Sequence, residues 1–325
     1  MDGRLDRLAV FINAALDENA HLPEECRAFV RAGKRLRARL LLASSDSSPV
    51  SSEGDVLRAA AAIELVHAAS LLHDDIVDEC EERRGRRTLH RIHGTEAATL
   101  TGTYLVHRAL RLVAELPDIA RVRIAEVGQQ LARGQLLELM QARDVDVSPE
   151  DRLVVMKLKT ASVFGLACEL GGRLAGEDVD RAIERRRFGE AFGILFQIAD
   201  DVDDLFAPAS EQGRPPATDL HCAVMSLPII FALRTNARQG LIQILGCSSH
   251  DPSATAACRE LLRSSGALSY TLEVANTYAL RARDHLVALP ASGGSEWTSG
   301  LVDATLARIR RFADRDRGCV VELGA

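Results

Sequence analysis

The chain has 325 residues, of which 47% are hydrophobic and 26% charged, so it can bury a large core and is not a disordered polypeptide. Aromatic residues make up only 4%, which argues against a sandwich or barrel and favours helices. A net charge of −6 gives no overall basic field for nucleic acid.

The opening residues, MDGRLDRLAV, are too charged for a signal peptide, and no uncharged run approaches the ~18–20 residues a membrane span requires. Apolar residues then recur at three- and four-residue intervals, the helical period. The pattern predicts helices over 4–16, 24–43, 55–78, 94–115, 119–142, 149–174, 178–206, 224–237, 253–264, 268–288 and 300–314. Ser148-Pro149-Glu150-Asp151 is a helix start, with a capping serine, a proline in the first turn and acids beside it. Gly33, Gly85, Gly171-Gly172 and Gly213 read as breaks or ends, and 44–54, 207–218 and 290–299 as loops. Helical patterning resumes on both sides of each loop, so the expectation is one all-α domain over residues 1–325. The seven cysteines (Cys26, Cys80, Cys168, Cys222, Cys247, Cys258 and Cys319) are scattered and never in CxxC spacing. They read as reduced, structural thiols of a cytoplasmic protein, without a disulfide framework or zinc.

Two segments carry the chemistry. In the first, Asp74 and Asp78 lie four apart, with Asp75 beside them, at the end of an apolar helix. One helical turn sets both carboxylates on the same face, where like charges repel. Asp200 and Asp204 repeat the spacing, with Asp201 beside them, at the end of a second apolar helix. Two such ends are hard to explain as surface decoration. An all-oxygen donor set suits Mg²⁺, which keeps waters and accepts phosphate oxygens. Basic runs complete a diphosphate site: Gly33-Lys34-Arg35-Leu36-Arg37 upstream and Arg83-Arg84-Gly85-Arg86-Arg87 after the first acids.

From about Gly33 to Pro228 the chain resembles the trans-isoprenyl diphosphate synthases, the polyprenyl synthetase family. Asp74-Asp75-Ile76-Val77-Asp78 with Arg83-Arg84-Gly85 is similar to the family's first aspartate-rich motif, and Gln197 with Asp200-Asp201-Val202-Asp203-Asp204 to the second. Gly33 to Arg37 resembles the segment that holds isopentenyl diphosphate, and Lys159-Thr160 a pair beside the allylic substrate. His67 falls where the family places a further isopentenyl diphosphate contact. The chain departs at Ala38, where proline is usual, at Thr103, at Arg214, which replaces a lysine, and at Ala223-Val224, where many members have Gly-Lys.

The resemblance implies a helical bundle with a central active-site cavity, and an enzyme that condenses isopentenyl diphosphate with an allylic diphosphate. Asp74, Asp75, Asp78, Asp200, Asp201 and Asp204 would be the ligands for Mg²⁺, three ions in the family. Lys159, Thr160 and Gln197 would act on the allylic group, and Arg83 and Arg214 on its diphosphate. Lys34, Arg37, His67 and Arg84 would hold isopentenyl diphosphate. The family is typically homodimeric, and the apolar helix over 94–115 is the expected seam. Ala69 and Ser70, four to five residues before Asp74, are small where short-chain members carry aromatic rings, which implies a product of C20 or longer. Two other readings share these features: a class I terpene cyclase, which usually carries a different second motif, and a non-catalytic partner subunit, which typically loses one acidic motif.

Overall fold

A computed structural model describes residues 2–47, 52–83, 85–208, 217–222, 224–246, 252–290 and 294–321. In chain order its helices are α1 (Asp2–Asp17), α2 (Glu24–Arg31), α3 (Leu36–Ser44), α4 (Glu53–Val77), α5 (Leu89–His93), α6 (Thr95–Val113), α7 (Asp118–Gln141) and α8 (Pro149–Met156). They continue as α9 (Ser162–Leu174), α10 (Val179–Phe206), α11 (Thr218–His221), α12 (Leu227–Ala232), α13 (Arg238–Leu245), α14 (Pro252–Ser264), α15 (Ala267–Val287) and α16 (Ser295–Val321). Among the described residues the only sheet is a two-stranded hairpin, β1 (Glu82–Arg83) paired antiparallel with β2 (Arg86–Arg87). The fold is all-α, as the composition and period imply.

The chain divides into two compact units. The first comprises Met1–Gly128, Val163–Gly189 and His285–Thr298; the second comprises Gln129–Ser162, Glu190–Asp284 and Ser299–Ala325.

In the first unit, Leu8, Ile12, Ala15 and Leu16 recur at helical spacing and are buried as α1 packs on α4. Burying each leucine or isoleucine contributes ~1.5–3 kcal/mol. α4 is buried on most of its faces, through Val56, Leu57, the run Ala59 to Ile63, Leu65, Ala68, Ala69 and Leu72. It is long and apolar enough to cross a membrane by length and composition, with 67% of that apolar window buried in the protein. The single helix expected over 24–43 is two. α2 ends at Arg31, so a break falls at Gly33 as its glycine implies, and Arg35 stands in a left-handed conformation (φ 53°) at the N-cap of α3. Ala38, in the first turn of α3, donates its N–H to the buried carboxylate of Glu64 on α4 at 3.0 Å. That satisfies one of the free donors a helix start leaves open. Gly171 does not break a helix but sits inside α9. A Cβ there would collide with the Leu41 carbonyl oxygen, so glycine permits close approach to α3.

In the second unit, Ser148 and Asp151 form the reciprocal capping box expected at the start of α8. The helix predicted over 149–174 is interrupted by a π-helical turn, Lys157–Ala161. The one predicted over 224–237 shortens to α12, and α13 follows it. Phe231 stacks on Tyr270 of α15 with ring centroids 4.6 Å apart, and Arg234 donates to the Val147 carbonyl at 2.6 Å. α16 begins earlier and ends later than its predicted limits, 300–314.

Cys26, Cys80, Cys168, Cys222 and Cys258 are free thiols. Burial pushes the thiols of Cys26, Cys168 and Cys258 up to about 12, which leaves them unreactive at neutral pH.

Candidate active site

The first acidic end is the C-terminus of α4. Asp74 and Asp78 are half-buried, and the N–H of Asp78 caps the helix on the Asp74 carbonyl at 2.8 Å. Asp75 is buried, 2% exposed, because the hairpin folds back on it. Gly85 (φ 71°) makes that turn, a left-handed conformation glycine adopts without strain, and Arg83 then donates from Nε to Asp75 Oδ1 at 2.5 Å. Thr88 fixes the base of the hairpin by donating to the Cys80 carbonyl at 2.7 Å. Arg83, expected on a diphosphate, is therefore held on an acidic residue of its own motif. Arg84 lies outside the described residues.

Elsewhere in this unit, Lys34 is exposed, and Arg37 is half-buried with its guanidinium 4.7 Å from the Phe164 ring centre. His67 is half-buried, and its carbonyl accepts from Ser70 Oγ at 2.9 Å. Ala69 is wholly buried, whereas Ser70 keeps partial exposure.

The second acidic end is the C-terminus of α10. Asp200 is 40% exposed and Asp203 19% exposed, and Arg308 of α16 joins them. Its Nη2 reaches Asp200 Oδ1 at 2.5 Å and its Nε reaches Asp203 Oδ2 at 2.9 Å, while Arg311 donates to Asp203 Oδ1 at 2.9 Å. Burial opposes the charge on Arg308, but the Asp200 and Asp203 carboxylates outweigh it and raise its pKa. Asp201 and Asp204 are enclosed, each 1% exposed. Asp201 accepts from Arg152 at 3.1 Å on one oxygen and from Gln197 at 2.7 Å on the other. Asp203, which the four-residue spacing leaves out, therefore stands with Asp200, while Asp201 is held inside the unit.

Lys159, Thr160 and Gln197 meet there. Thr160 Oγ1 donates to Gln197 Oε1 at 2.7 Å, and Lys159 Nζ donates to Glu138 Oε2. Glu138 also accepts from Arg152 Nη1 at 2.7 Å. Burial works to raise the Glu138 pKa, but the Lys159 and Arg152 charges overcome it and bring it down to about 2. Sequence spacing singles out none of Glu138, Arg152, Asp203 and Arg308 as site residues. For Arg152 the one signal is a basic residue on the buried stripe of α8, with Val155 and Met156. Arg214 lies outside the described residues.

The donor sets fit a hard divalent cation. Asp74, Asp78 and Asp200 keep partial exposure and offer only oxygen. Among the described residues, no three acidic, histidine or cysteine side chains make a preformed cage.

Comparison with known proteins gives one answer at the level of family. The family model described as Polyprenyl synthetase matches residues 19–262. A nonaprenyl diphosphate synthase of Mycobacterium tuberculosis is 36% identical over 284 residues, covering 86% of this chain and 84% of that protein. An octaprenyl diphosphate synthase of Escherichia coli is 28% identical over 307 residues, covering 92% and 95%. Among solved structures, the polyprenyl synthase from Caulobacter crescentus complexed with calcium and isoprenyl diphosphate is 29% identical. It covers 94% of each chain with a TM-score of 0.86. On these grounds the chain belongs to the polyprenyl synthetase family.

Proposed function

We propose that this chain joins isopentenyl diphosphate head-to-tail to an allylic diphosphate and releases a trans-polyprenyl diphosphate of C20 or longer. The carrying observation is that one family-matched chain pairs two partly exposed acidic helix ends with a Lys159–Thr160–Gln197 cluster. The relatives named nonaprenyl and octaprenyl diphosphate synthase support the long product. The family-matched stretch takes residues from both compact units, which supports reading them as a single catalytic domain.

Asp74, Asp78 and Asp200 are the proposed ligands for Mg²⁺, which when bound supplies positive charge to the departing diphosphate. Lys159, Arg83 and Arg214 add to that charge. The allylic C–O bond breaks, and the Thr160 hydroxyl and the Gln197 side chain offer oriented dipoles to the carbocation. Lys34, Arg37, His67 and Arg84 hold isopentenyl diphosphate so that its double bond attacks that carbon. A C–C bond forms, and a proton then leaves to the released diphosphate. Water must be kept out, because it would capture the cation. We further propose a homodimer, supported by the exposure of Leu100 (69%) and Leu110 (49%) on α6, and a cytoplasmic location, supported by cysteines held as thiols.

Incubation with labelled isopentenyl diphosphate, an allylic primer and Mg²⁺ tests the reading. Elongated diphosphate is the expected product; a cyclised hydrocarbon identifies a terpene cyclase, and no product a non-catalytic subunit. Asp74→Ala and Asp200→Ala are each expected to lower turnover by orders of magnitude with the helical content retained. Full activity of either variant, or of the wild type in a chelator, overturns the assignment.

A further inference from the structure

Two charged side chains of the second unit have no part in the proposed chemistry, yet they touch the groups that do. Glu138 of α7 and Arg152 of α8 complete a closed circuit. It runs from Lys159 to Glu138, to Arg152, to Asp201, to Gln197 and to Thr160, which follows Lys159 in the chain. The four charges in it sum to zero.

The backbone is arranged for this circuit. Lys159 and Thr160 lie in the π-helical turn, and a Cβ at Gly134 would stand 2.8 Å from the Lys159 backbone nitrogen. α7 therefore approaches the turn as closely as a missing side chain permits. Glu138, one helical turn after Gly134, then reaches Lys159. Arg152, with a side chain only 5% exposed, spans from Glu138 to Asp201, whose side chain is 1% exposed.

Replacing a buried ion pair whole by apolar residues of similar volume is often neutral, although removing one partner alone is costly. What the circuit supplies is position. It sets the Lys159 ammonium by one contact and the Gln197 amide by another, so both are fixed through the same guanidinium. We propose that Glu138 and Arg152 are positioning residues that hold Lys159, Thr160 and Gln197 in one arrangement for the allylic group; this rests on the prenyl-transfer reading above.

The test is steady-state kinetics of the full chain with isopentenyl diphosphate, an allylic primer and Mg²⁺, alongside thermal melts. Arg152→Met is expected to lower kcat about 30-fold or more while the KM for isopentenyl diphosphate stays within about threefold. Arg152→Lys, which keeps the charge but not the fork, should recover part of the rate. Glu138→Gln should lower kcat about tenfold, and the Glu138→Leu/Arg152→Met pair should be no slower than Arg152→Met alone, because the two act as one unit. A folded Arg152→Met with wild-type kcat, or losses that multiply in the double variant, overturns the proposal. Should Arg152→Met fail to fold, Glu138→Gln decides: a reduced kcat at unchanged KM supports positioning, and a wild-type kcat overturns it. A wild type that forms no elongated product removes the prenyl-transfer reading and this proposal with it; an active wild type with an unaffected Glu138→Gln removes this proposal alone.

Discussion

Glu138 keeps its charge in a place where burial by itself would neutralise it, and the reason is two cations within hydrogen-bonding reach. A carboxyl depressed from 4.5 to about 2 contributes stability that is complete above pH 4.5 and is lost as pH falls toward 2. Glu138→Gln should therefore unfold at lower urea concentration at pH 7, by on the order of 3 kcal/mol, with the gap closing between pH 4.5 and 2. Urea melts at about pH 7 and pH 3 measure it, and a gap that does not narrow with acid contradicts it. Ala38 offers a second test. Proline is usual there in the family the sequence resembles, but here the Ala38 N–H is the donor to buried Glu64. Ala38→Pro removes that donor and should cost about 1–3 kcal/mol, even though a first-turn proline is otherwise tolerated. A melting temperature at or above wild type would show that the Glu64 contact carries no weight.

The elements were legible where the apolar period is long, and less so where backbone geometry decides. α4, α6, α7 and α10 fall within two residues of their predicted limits, and α4, α6 and α10 each bury apolar residues along their length. The break between α2 and α3 spans residues 32–35, with Arg35 left-handed, and the π turn stands where α7 comes close at Gly134. Neither leaves a mark in hydrophobic spacing. Gly171 misled for the converse reason: a glycine kept for close packing looks like one that ends a helix. The end of α4 carries a prediction on product length. Ser70 lies four residues before Asp74, about 6 Å down the helix, and retains partial exposure, whereas Ala69 is wholly buried. A ring at Ser70 starts from a partly exposed position rather than from the packed interior. Ser70→Phe should shorten the product by one or more C5 units while the fold stays intact. Ala69→Phe should instead overpack the interior and lower stability by about 1–3 kcal/mol. Chromatography of the dephosphorylated products, with melts of both variants, decides. An unchanged chain length in Ser70→Phe removes it from the chain-length wall.

At the scale of the whole molecule, two acidic helix ends and a GKRLR segment were enough to read the family from sequence, because each is a local pattern with a direct chemical meaning. The contacts that hold the site are not local. Arg308 reaches Asp200 across 108 residues of chain and Arg152 reaches Asp201 across 49, and nothing in spacing or composition pairs them. Surface character is non-local in the same way: a helix that is apolar on two faces reads from sequence as buried, yet α6 buries Ala98, Leu105 and Ala109 and leaves Leu100 and Leu110 exposed. α7 similarly exposes Ile119 and Val122. Water penalises such apolar faces in an isolated chain, and a second copy of the same chain would cover them symmetrically. Light scattering at micromolar concentration should therefore give twice the chain mass of 35.3 kDa. Leu100→Arg combined with Leu110→Glu places charge on that face without disturbing the buried residues of α6. This variant should scatter as a 35.3 kDa monomer with its helical content unchanged. A monomeric wild type overturns the dimer, and a doubly charged variant that remains dimeric moves the seam away from α6.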